Sequence, residues 1–328
     1  MSDSAIQSDQ VNQTDRVIQT DRLSRYFAAH AVVRDLNMQV PAGQVTALLG
    51  LNGAGKTTTI RIIMGLLRPT RGTCHVLGED TATMSPETRR RIGYMVEGHF
   101  LYPSMRIHEC ERFQRAAYRK GDDGHWDDRL FAQIIQHFGI PDAARIGEIS
   151  RGQRAGVALA MVLAPDPELL VLDDPALGLD PISRRALNQT LIEFAGNGKR
   201  TVLLSTHLLD DVERVADRVM VLVDGRLQVD AGMDEFHRRI RGYDVMVDTV
   251  DDKQLASIAG LIEARRIGDR LQLSIADADA ETEAALNRLG ATSIEPVELT
   301  FSDGVLAYLA RQRQDISFLT QDRTGAAQ

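Results

Sequence analysis

The sequence predicts an α/β protein that carries a small α+β domain at its C-terminal end. Three observations predict this fold class. Across residues 17–230, short apolar runs typical of strands alternate with helical patterns, as they do in α/β domains. A glycine-rich loop connects one such strand directly to the following helix. From Tyr243 onward the pattern changes to strand, helix, strand, strand, helix, strand, which is the ferredoxin-like order.

Length and composition indicate a globular protein of about two domains. The chain has 328 residues, of which 43% are hydrophobic and 26% are charged, so it can bury a sizeable core. Residues 1–17 are mostly polar and are expected to form a disordered arm. The two cysteines, Cys74 and Cys110, are too few for a disulfide framework, which fits a reducing cytosol.

Hydropathy and charge argue against two classes of direct partner. No apolar run approaches the roughly 20 residues that a membrane helix needs, so we expect no segment to span a bilayer. The net charge is −8, and the chain has no basic run longer than the three arginines at 89–91. Because a nucleic-acid-binding protein ordinarily needs a basic face, no nucleic-acid partner is expected.

The most informative segment, at residues 50–57, reads Gly-Leu-Asn-Gly-Ala-Gly-Lys-Thr. It fits the phosphate-binding loop pattern G-x-x-x-x-G-K-[ST] at every position, and it lies between a predicted strand, Val45–Leu49, and a predicted helix at 58–64. Glycines let the backbone direct several N–H groups at one anion, and the helix N-terminus adds the positive end of its dipole. We expect Lys56 to reach the β- and γ-phosphates and the Thr57 hydroxyl to bind Mg²⁺. The residues predicted to bind the nucleotide here are Gly50, Leu51, Asn52, Gly53, Ala54, Gly55, Lys56, Thr57 and Thr58.

Two adjacent carboxylates follow another predicted buried strand. Residues 169–172 are all apolar, and Asp173 and Asp174 come directly after them. A carboxylate at the end of a strand beside the phosphate-binding loop holds Mg²⁺ in the Walker B role, which we assign to Asp173. The alternative, a buried strand capped by solvated acids, explains this run alone. It is less favoured beside the upstream loop, because the two motifs depend on each other mechanistically.

Three further segments distinguish among the classes of nucleotide-binding protein. Residues 149–154 read Ile-Ser-Arg-Gly-Gln-Arg and precede a predicted helical run at 155–163. Residues 177–181 read Leu-Gly-Leu-Asp-Pro. Residues 203–207, Leu-Leu-Ser-Thr-His, end another apolar strand.

With these segments, the chain from residue 20 to about residue 237 resembles the ATP-binding subunits of ABC transporters. The resemblance implies a P-loop NTPase of the ABC ATPase type, in which a RecA-like core and a helical subdomain together occupy residues 18–237. The helical subdomain is expected at about 100–165. ATP and Mg²⁺ are the implied ligand and metal.

The resemblance also assigns roles to two residues around the nucleotide. Tyr26 lies where the family places an aromatic residue that stacks on adenine. An ordinary half-buried strand aromatic is an equally good interpretation of Tyr26. His207 matches the switch histidine, which contacts the γ-phosphate, and a purely structural histidine is the less favoured alternative.

Four residues match family motifs that act across a dimer interface. Ser150, Gly152 and Gln153 correspond to the signature motif, which meets the γ-phosphate of a nucleotide held by the other protomer. Asp180 corresponds to the loop that crosses the interface. Because one protomer cannot complete such a site, the resemblance implies a two-fold dimer, formed with a second copy or with a similar ATPase subunit. ATP binding would close the dimer and hydrolysis would reopen it.

The resemblance implies a partner that crosses the membrane. A transmembrane permease on another polypeptide would dock on the helical subdomain, so the chain is expected to be cytoplasmic and peripheral on the inner face of the cell membrane. The type of C-terminal extension favours export. The alternatives are a soluble ABC ATPase acting in translation or DNA repair, and a slow-hydrolysing switch that dimerises on ATP.

Three residues depart from the family pattern. Glu97 stands where the family usually has glutamine; its carboxylate still offers an oxygen to Mg²⁺ or to the attacking water, but it adds negative charge beside phosphates. Arg151 replaces the first glycine of the signature. Asp174 stands where the family usually has the catalytic glutamate, and it is shorter by one methylene. Since a general base must approach within about 2.6–3.2 Å, we expect slow but non-zero ATP hydrolysis.

The region after residue 240 resembles the C-terminal extension of ATPase subunits of bacterial exporters. We expect an accessory α+β domain at 241–315 and a flexible tail at 316–328. The domain would act as a dimer-stabilising spacer or as a ligand-sensing module. Its predicted strands lie at 243–249, 262–267, 270–275 and 293–299, and its predicted helices at 252–261 and 281–289.

Overall fold

The structure, a computed structural model, describes residues 16–118, 125–196, 198, 200–247 and 250–310. Most of the predicted N-terminal arm and all of the predicted tail at 316–328 therefore lie outside the described residues. Arg16 and Val17, which we assigned to the arm, instead begin the first strand. They do so because Arg16 pairs with Pro41 in an antiparallel ladder, two residues before the fully buried Ile18.

The strands of the described chain are numbered in sequence order. They are β1 (Arg16–Phe27), β2 (His30–Leu36), β3 (Gln39–Pro41), β4 (Val45–Leu49), β5 (Arg71–Val76), β6 (Glu79–Asp80), β7 (Ile92–Met95), β8 (Leu169–Asp173), β9 (Thr201–Thr206), β10 (Arg218–Val223), β11 (Arg226–Gly232), β12 (Ile240–Met246), β13 (Leu261–Ile267), β14 (Arg270–Ala276) and β15 (Ser293–Val297).

The helices are numbered in the same way. They are α1 (Lys56–Ile63), α2 (Pro86–Arg90), α3 (Ile107–Tyr118), α4 (Asp128–His137), α5 (Arg151–Leu163), α6 (Pro181–Ala195), α7 (Leu209–Val215), α8 (Met233–Arg239), α9 (Asp252–Ala256), α10 (Ala280–Arg288) and α11 (Phe301–Ala310), with a short 3₁₀ helix at Ile146–Glu148. Among the described residues, no helix combines the length and the apolar character that a membrane crossing requires.

The chain divides into two compact units. The first contains the described residues up to Thr46 together with Thr57–Ser205. The second contains Ala47–Lys56 and the described residues from Thr206 onward.

In the first unit, a parallel sheet places β8 between β7 and β9. All five residues of β8 are buried, as expected for a strand that is covered on both faces. Because parallel strands end at the same edge of a sheet, Asp173 at the end of β8 is aligned with Ser205 on β9. A second, antiparallel sheet has the order β2-β1-β5-β6, and β3 pairs with β1.

Helices α4 and α5 of the first unit pack closely because α5 carries a glycine at the contact. A Cβ atom at Gly156 would lie 2.4 Å from the Cγ atom of Phe138. The structure begins α5 at Arg151, four residues earlier than predicted, because Ser150 caps the helix. The contact between Gly156 and Phe138 therefore positions α5, whose first turn contains the residues that match the family signature.

In the second unit, β10 and β11 form an antiparallel hairpin. Its turn residues, Asp224 and Gly225, have φ angles of +49° and +75°, as a two-residue type I′ turn requires. The N–H of Gly225 donates a hydrogen bond of 3.1 Å to the carbonyl of Ala54. This hairpin turn therefore supports the loop that follows β4.

The C-terminal strands of the second unit form an antiparallel sheet in the order β13-β14-β12-β15. One face of the sheet carries a buried apolar cluster in which Val245, Leu273 and Leu286 take part. Strand β12 begins at Ile240 rather than residue 243 and ends at Met246, while residues 248–249 lie outside the described residues. The predicted helix at 252–261 is shorter than expected and ends at Ala256.

Gly260 explains this early helix end. Its φ angle is +73°, which is outside the helical region, and a Cβ atom there would lie 2.1 Å from the carbonyl oxygen of Ala276. The chain therefore turns at Gly260 and enters β13 at Leu261.

Helix α11 closes the second unit through aromatic packing. The rings of Phe236 on α8 and Phe301 on α11 are 5.4 Å apart in an edge arrangement, and Tyr308 lies 6.4 Å from Phe236. Phe301 and Val305 are fully buried, and α11 also contacts α7 and β10. These contacts hold α8 and α11 together.

We predict that Gly156→Ala lowers the free energy of unfolding by about 1–3 kcal/mol, because the added methyl group collides with Phe138. At a helical glycine without such a neighbour, replacement by alanine would instead stabilise the protein by about 1 kcal/mol. Urea denaturation of the purified protein measures the change. The double variant Gly156→Ala, Phe138→Ala is the control: its coupling energy should offset part of the loss, and a stabilised single variant would contradict the close packing.

Candidate functional site

The phosphate-binding loop in the second unit depends on glycines for its shape. A Cβ atom at Gly50 would lie 2.6 Å from the carbonyl oxygen of Leu222. Gly53 and Gly55 have φ angles of +85° and +106°, which L-residues with side chains rarely adopt. The N–H of Ala54 donates to the carbonyl of Leu51 at 3.1 Å, which closes a turn inside the loop.

Lys56 places its charge against this loop. The residue is only 8% exposed, and its Nζ atom donates hydrogen bonds to the carbonyls of Gly50 at 2.7 Å and Leu51 at 3.2 Å. Lys56 also starts α1, two residues earlier than predicted, so the loop runs directly into a helix N-terminus. A cationic amine and a helix N-terminus together form a site that fits a phosphate group.

The first unit contains a candidate Mg²⁺ site at the end of β8. The Oδ1 atom of Asp173 accepts hydrogen bonds from the Thr57 hydroxyl at 3.1 Å and from the Ser205 hydroxyl at 2.8 Å. Asp173 is only 2% exposed. A carboxylate and a hydroxyl at this distance are the hard oxygen ligands that Mg²⁺ prefers, so these residues fit the metal.

Protein side chains supply only part of this site. Among the described residues, no group of three His, Cys, Asp or Glu side chains is arranged to hold a metal ion alone. Mg²⁺ commonly uses one or two protein oxygens and completes its shell with phosphate oxygens and water. Thr57 and Asp173 could therefore supply two oxygen ligands of such a shell.

Asp174 is held in an uncommon backbone conformation beside this site. Its φ angle is +46°, a left-handed region in which aspartate is enriched among non-glycine residues. Its N–H donates to both the carbonyl and the hydroxyl oxygen of Ser205, each at 3.1 Å. Ser205 therefore contacts both carboxylate residues at the end of β8.

Ser205 is a site residue to which the sequence reasoning gave no role. The sequence does contain an indication of Ser205: it is a hydroxyl residue at the end of an apolar run, two residues before His207. Only the parallel pairing of β8 and β9 shows that this hydroxyl meets Asp173.

Ser150 and Gln153 form a capping box at the start of α5. The Ser150 Oγ atom accepts from the N–H of Gln153 at 3.1 Å, and the N–H of Ser150 donates to the Gln153 side chain at 3.0 Å. The Gln153 amide also donates to the carbonyl of Gly139 at 2.8 Å. Both residues thus have structural roles within the protomer, and Ser150 remains exposed at a helix N-terminus.

Gly152 and Asp180 lie together around Ser183. A Cβ atom at Gly152 would lie 1.9 Å from the Ser183 Oγ atom and 3.3 Å from a carboxylate oxygen of Asp180. Asp180 caps α6 by accepting from the N–H groups of Ile182 and Ser183, each at 3.0 Å. Hydrogen bonds from Ser183, first from its hydroxyl and then from its N–H, hold the pKa of Asp180 below its usual range. The carboxylate is therefore anionic at neutral pH.

Arg151, which replaces a family glycine, has a defined place. A Cβ atom at Gly178 would lie 2.0 Å from an Nη atom of Arg151, so the guanidinium rests against the backbone of that residue. The φ angle of Gly178 is +69°. Arg151 therefore packs on the loop that contains Asp180.

His99 is a second residue that the sequence did not single out. It is 5% exposed, its φ angle is +50°, and its Nε2 atom lies 2.8 Å from the carbonyl oxygen of Pro175. Burial lowers the pKa of His99 below its usual value, while the hydrogen bond to Pro175 opposes the shift. Charges contribute less: Arg151 and Arg154 lower the pKa, and Asp174 raises it.

The remaining predicted site residues lie at the surface. Glu97 follows β7 and is exposed, and His207 is exposed just after β9. Tyr26 on β1 is 36% exposed, and its N–H donates to the Thr70 hydroxyl at 3.1 Å. The structure thus brings Thr57, Asp173 and Asp174 together around Ser205.

Comparison of the sequence with known families and proteins gives consistent matches. Residues 33–177 match the family described as ABC transporter. The bacitracin transport ATP-binding protein of Bacillus licheniformis is 31% identical over 67% of this chain and 71% of its own length. The Nod factor export ATP-binding protein I of Burkholderia lata is 33% identical over 62% and 67%. An uncharacterized ABC transporter ATP-binding protein of Bacillus subtilis is 29% identical over 84% and 92%.

Two solved structures also match this chain. A structure of an ATP-binding subunit of an ABC transporter superposes with a TM-score of 0.60 at 30% identity, covering 68% of this chain and 92% of that chain. A dimeric post-hydrolysis ATP-binding cassette bound to ADP and phosphate superposes with a TM-score of 0.58 at 21% identity, covering 66% and 98%. The second likeness concerns the fold alone.

We predict that Ser205→Ala weakens Mg²⁺-dependent ATP binding by about tenfold, because loss of a hydrogen bond to a buried carboxylate costs about 1.5–3 kcal/mol. Titration of a fluorescent ATP analogue with and without Mg²⁺ measures the change. Thr46→Val is the matched control, since the buried Thr46 hydroxyl has no hydrogen-bond partner among the described residues. Equal affinities of wild type and Ser205→Ala would show that Ser205 does not support the site.

Proposed function

The chain belongs to the ATP-binding subunits of ABC transporters, and we propose that it dimerises on ATP and drives a separate transmembrane permease, in the direction of export. The observation that carries the proposal is the pair of acidic residues at the end of β8, Asp173 and Asp174. Asp173 accepts a hydrogen bond from Thr57, and both residues are hydrogen-bonded to Ser205. This pair supports ATP hydrolysis.

We propose the following roles in ATP hydrolysis. The glycine loop and Lys56 bind the phosphates of ATP, and Thr57 and Asp173 hold Mg²⁺. Bound Mg²⁺ supplies positive charge that offsets the charge on the phosphate oxygens. Asp174 orients the attacking water and accepts its proton as the water oxygen bonds to the γ-phosphorus and the bond to the ADP oxygen breaks. His207 contacts the γ-phosphate, and Glu97 contacts Mg²⁺ or the water.

The short side chain of Asp174 supports slow turnover. Aspartate places its carboxylate about one methylene closer to the backbone than the family's usual glutamate. The backbone of Asp174 is fixed by two hydrogen bonds to Ser205, so the carboxylate cannot compensate by a backbone shift without losing them. We therefore propose that the water is held less well than in family members with glutamate.

Ser150 supports the proposal of a dimer. It is exposed at the N-terminus of α5, where N–H groups and the helix dipole favour an anion. The packing of Gly152 on Ser183 ties this helix start to the loop of Asp180. In a two-fold dimer, Ser150 and Gly152 would face the γ-phosphate of the nucleotide bound to the partner. The symmetry would repeat this contact at the second nucleotide.

An exposed aromatic surface supports the proposal of a permease partner. Phe100, Tyr102 and Phe113 are all largely exposed although they are large and apolar, and all three lie in or beside the predicted helical subdomain. A cavity of about 450 Å³ between α3 and α4 is lined in part by Ile107 and Ile140. Large apolar side chains that are exposed to solvent are candidates for an interaction site. A short cytoplasmic helix of the permease would dock on this surface.

The relatives support the proposed direction. The relative from Burkholderia lata is named as a Nod factor export protein, and the relative from Bacillus licheniformis is named as a bacitracin transport protein. By this likeness we propose export as the direction, and a location on the inner face of the cell membrane through the permease. ATP-driven closure and reopening of the dimer would move the permease.

We predict that Asp174→Glu raises the turnover of the purified protein by about tenfold, which corresponds to about 1.4 kcal/mol of barrier. The longer side chain brings the carboxylate nearer to the attacking water. Steady-state phosphate release at saturating ATP and Mg²⁺ measures the effect, and thermal unfolding of the same variant separates it from any cost of glutamate at a positive φ. Unchanged turnover with unchanged stability would show that aspartate is adequate.

We predict that the Asp174→Asn variant retains ATP, keeps the dimer closed and co-purifies with a polytopic membrane protein in about equal amount. The tagged variant would be expressed in its native host, and membranes would be solubilised in mild detergent with ATP and Mg²⁺. Asp174→Asn combined with Lys56→Ala is the control, because loss of the loop lysine weakens ATP binding. Recovery of ribosomes, nucleic acid or soluble proteins alone would contradict the transporter proposal and favour a soluble ABC ATPase.

A further inference from the structure

The loop that follows β7 presents two different surfaces. Val96 and Phe100 are exposed, Phe100 by 84%, whereas His99 between them is buried. Gly98 has a φ angle of +85° and His99 one of +50°, so the backbone reverses its direction locally at these two residues. As a result, the loop turns an aromatic side chain outward and an imidazole inward.

The buried imidazole bonds to the segment that carries the hydrolytic carboxylate. The His99 Nε2 atom lies 2.8 Å from the carbonyl oxygen of Pro175, which directly follows Asp174. A carbonyl oxygen can only accept, so Nε2 carries the proton and donates it. Because burial disfavours the imidazolium, the ring is mainly neutral at neutral pH and keeps this single tautomer.

The backbone at Asp174 needs support from its surroundings. A residue other than glycine is strained in the left-handed region, and such residues persist where neighbouring contacts hold them. Ser205 supplies contacts to the N–H of Asp174. His99 supplies one to the carbonyl of the next residue, Pro175. The backbone of Asp174 and Pro175 is thus held from β9 on one side and from the β7–α3 loop on the other.

We propose that His99 is a positioning residue for ATP hydrolysis: its hydrogen bond to the Pro175 carbonyl sets the orientation of Asp174 and links that carboxylate to the loop that bears Phe100. The inference rests on the proposed role of Asp174 in hydrolysis and does not require the permease. Through this hydrogen bond, the position of the β7–α3 loop affects the backbone that carries the water-orienting carboxylate. Displacement of such a group by about 1 Å costs up to about 100-fold in rate.

Three substitutions test the hydrogen bond itself. His99→Gln places an amide N–H near the position of Nε2, whereas His99→Asn places its amide near Nδ1 and cannot reach Pro175. We expect His99→Ala and His99→Asn to lower kcat about tenfold with KM for ATP within about twofold of wild type, and His99→Gln to retain most of kcat. Steady-state ATPase assays on the purified full-length protein measure both constants.

A second measurement does not depend on turnover. Hydrogen–deuterium exchange of peptides covering residues 174–179 reports the turn in which the N–H of Leu177 bonds to the carbonyl of Asp174 and that of Leu179 to Ala176. We expect faster exchange there in His99→Ala and His99→Asn, and protection near the wild-type level in His99→Gln. Exchange over β14, in the other unit, serves as the internal reference.

The outcomes separate this inference from the proposed function. Equal loss of kcat in all three variants, or wild-type kcat and exchange in His99→Ala, would overturn the positioning role. If the wild-type protein does not hydrolyse ATP, the proposed hydrolysis fails, while the exchange data still decide whether His99 orders residues 174–179. Failure to find a permease leaves both measurements on the purified protein unaffected.

Discussion

The hydrogen bonds of Ser205 hold the two acidic residues at the end of β8 in place. Ser205 donates to Asp173 and accepts from the N–H of Asp174, so one hydroxyl holds the carboxylate of Asp173 and the backbone of Asp174. The contact exists because β8 and β9 are parallel and end at the same edge. Hydrogen bonds from the Thr57 and Ser205 hydroxyls hold the Asp173 carboxylate in one orientation, and a preorganised site requires such fixed groups.

Close backbone approach is the second constraint on the site. Gly152 admits Ser183, Gly178 admits the guanidinium of Arg151, and Gly50 admits the carbonyl of Leu222; at each of these positions a Cβ atom would lie within 2.6 Å of its neighbour. Well-packed interiors do not yield easily to an added methyl group. The glycines of the motifs therefore have a packing role in addition to any contact with a ligand.

The sequence predicted local features well and long-range ones poorly. Strand β4 coincides with its predicted bounds because a continuous apolar run followed by glycine is a local signal. The roles of Ser205 and His99 were not predicted, because Ser205 bonds to Asp173 at a separation of 32 residues and His99 to Pro175 at 76. Such contacts follow from strand pairing and loop path, which one-dimensional patterns do not encode. Helix α9 was predicted too long for a related reason, since Gly260 turns the chain against Ala276.

Several residues matched to nucleotide-binding motifs also stabilise the protomer that carries them. Ser150 caps α5 and Asp180 caps α6, and loss of such a cap costs about 0.5–2 kcal/mol. Loss of activity on replacing either residue would therefore combine a weakened helix start with a lost nucleotide contact. Ser205 differs, because its hydroxyl acts on two carboxylate residues rather than on a helix end. Replacement of Ser205 would therefore act directly on the two carboxylate residues at the end of β8, whereas replacement of Ser150 or Asp180 would act first on a helix start.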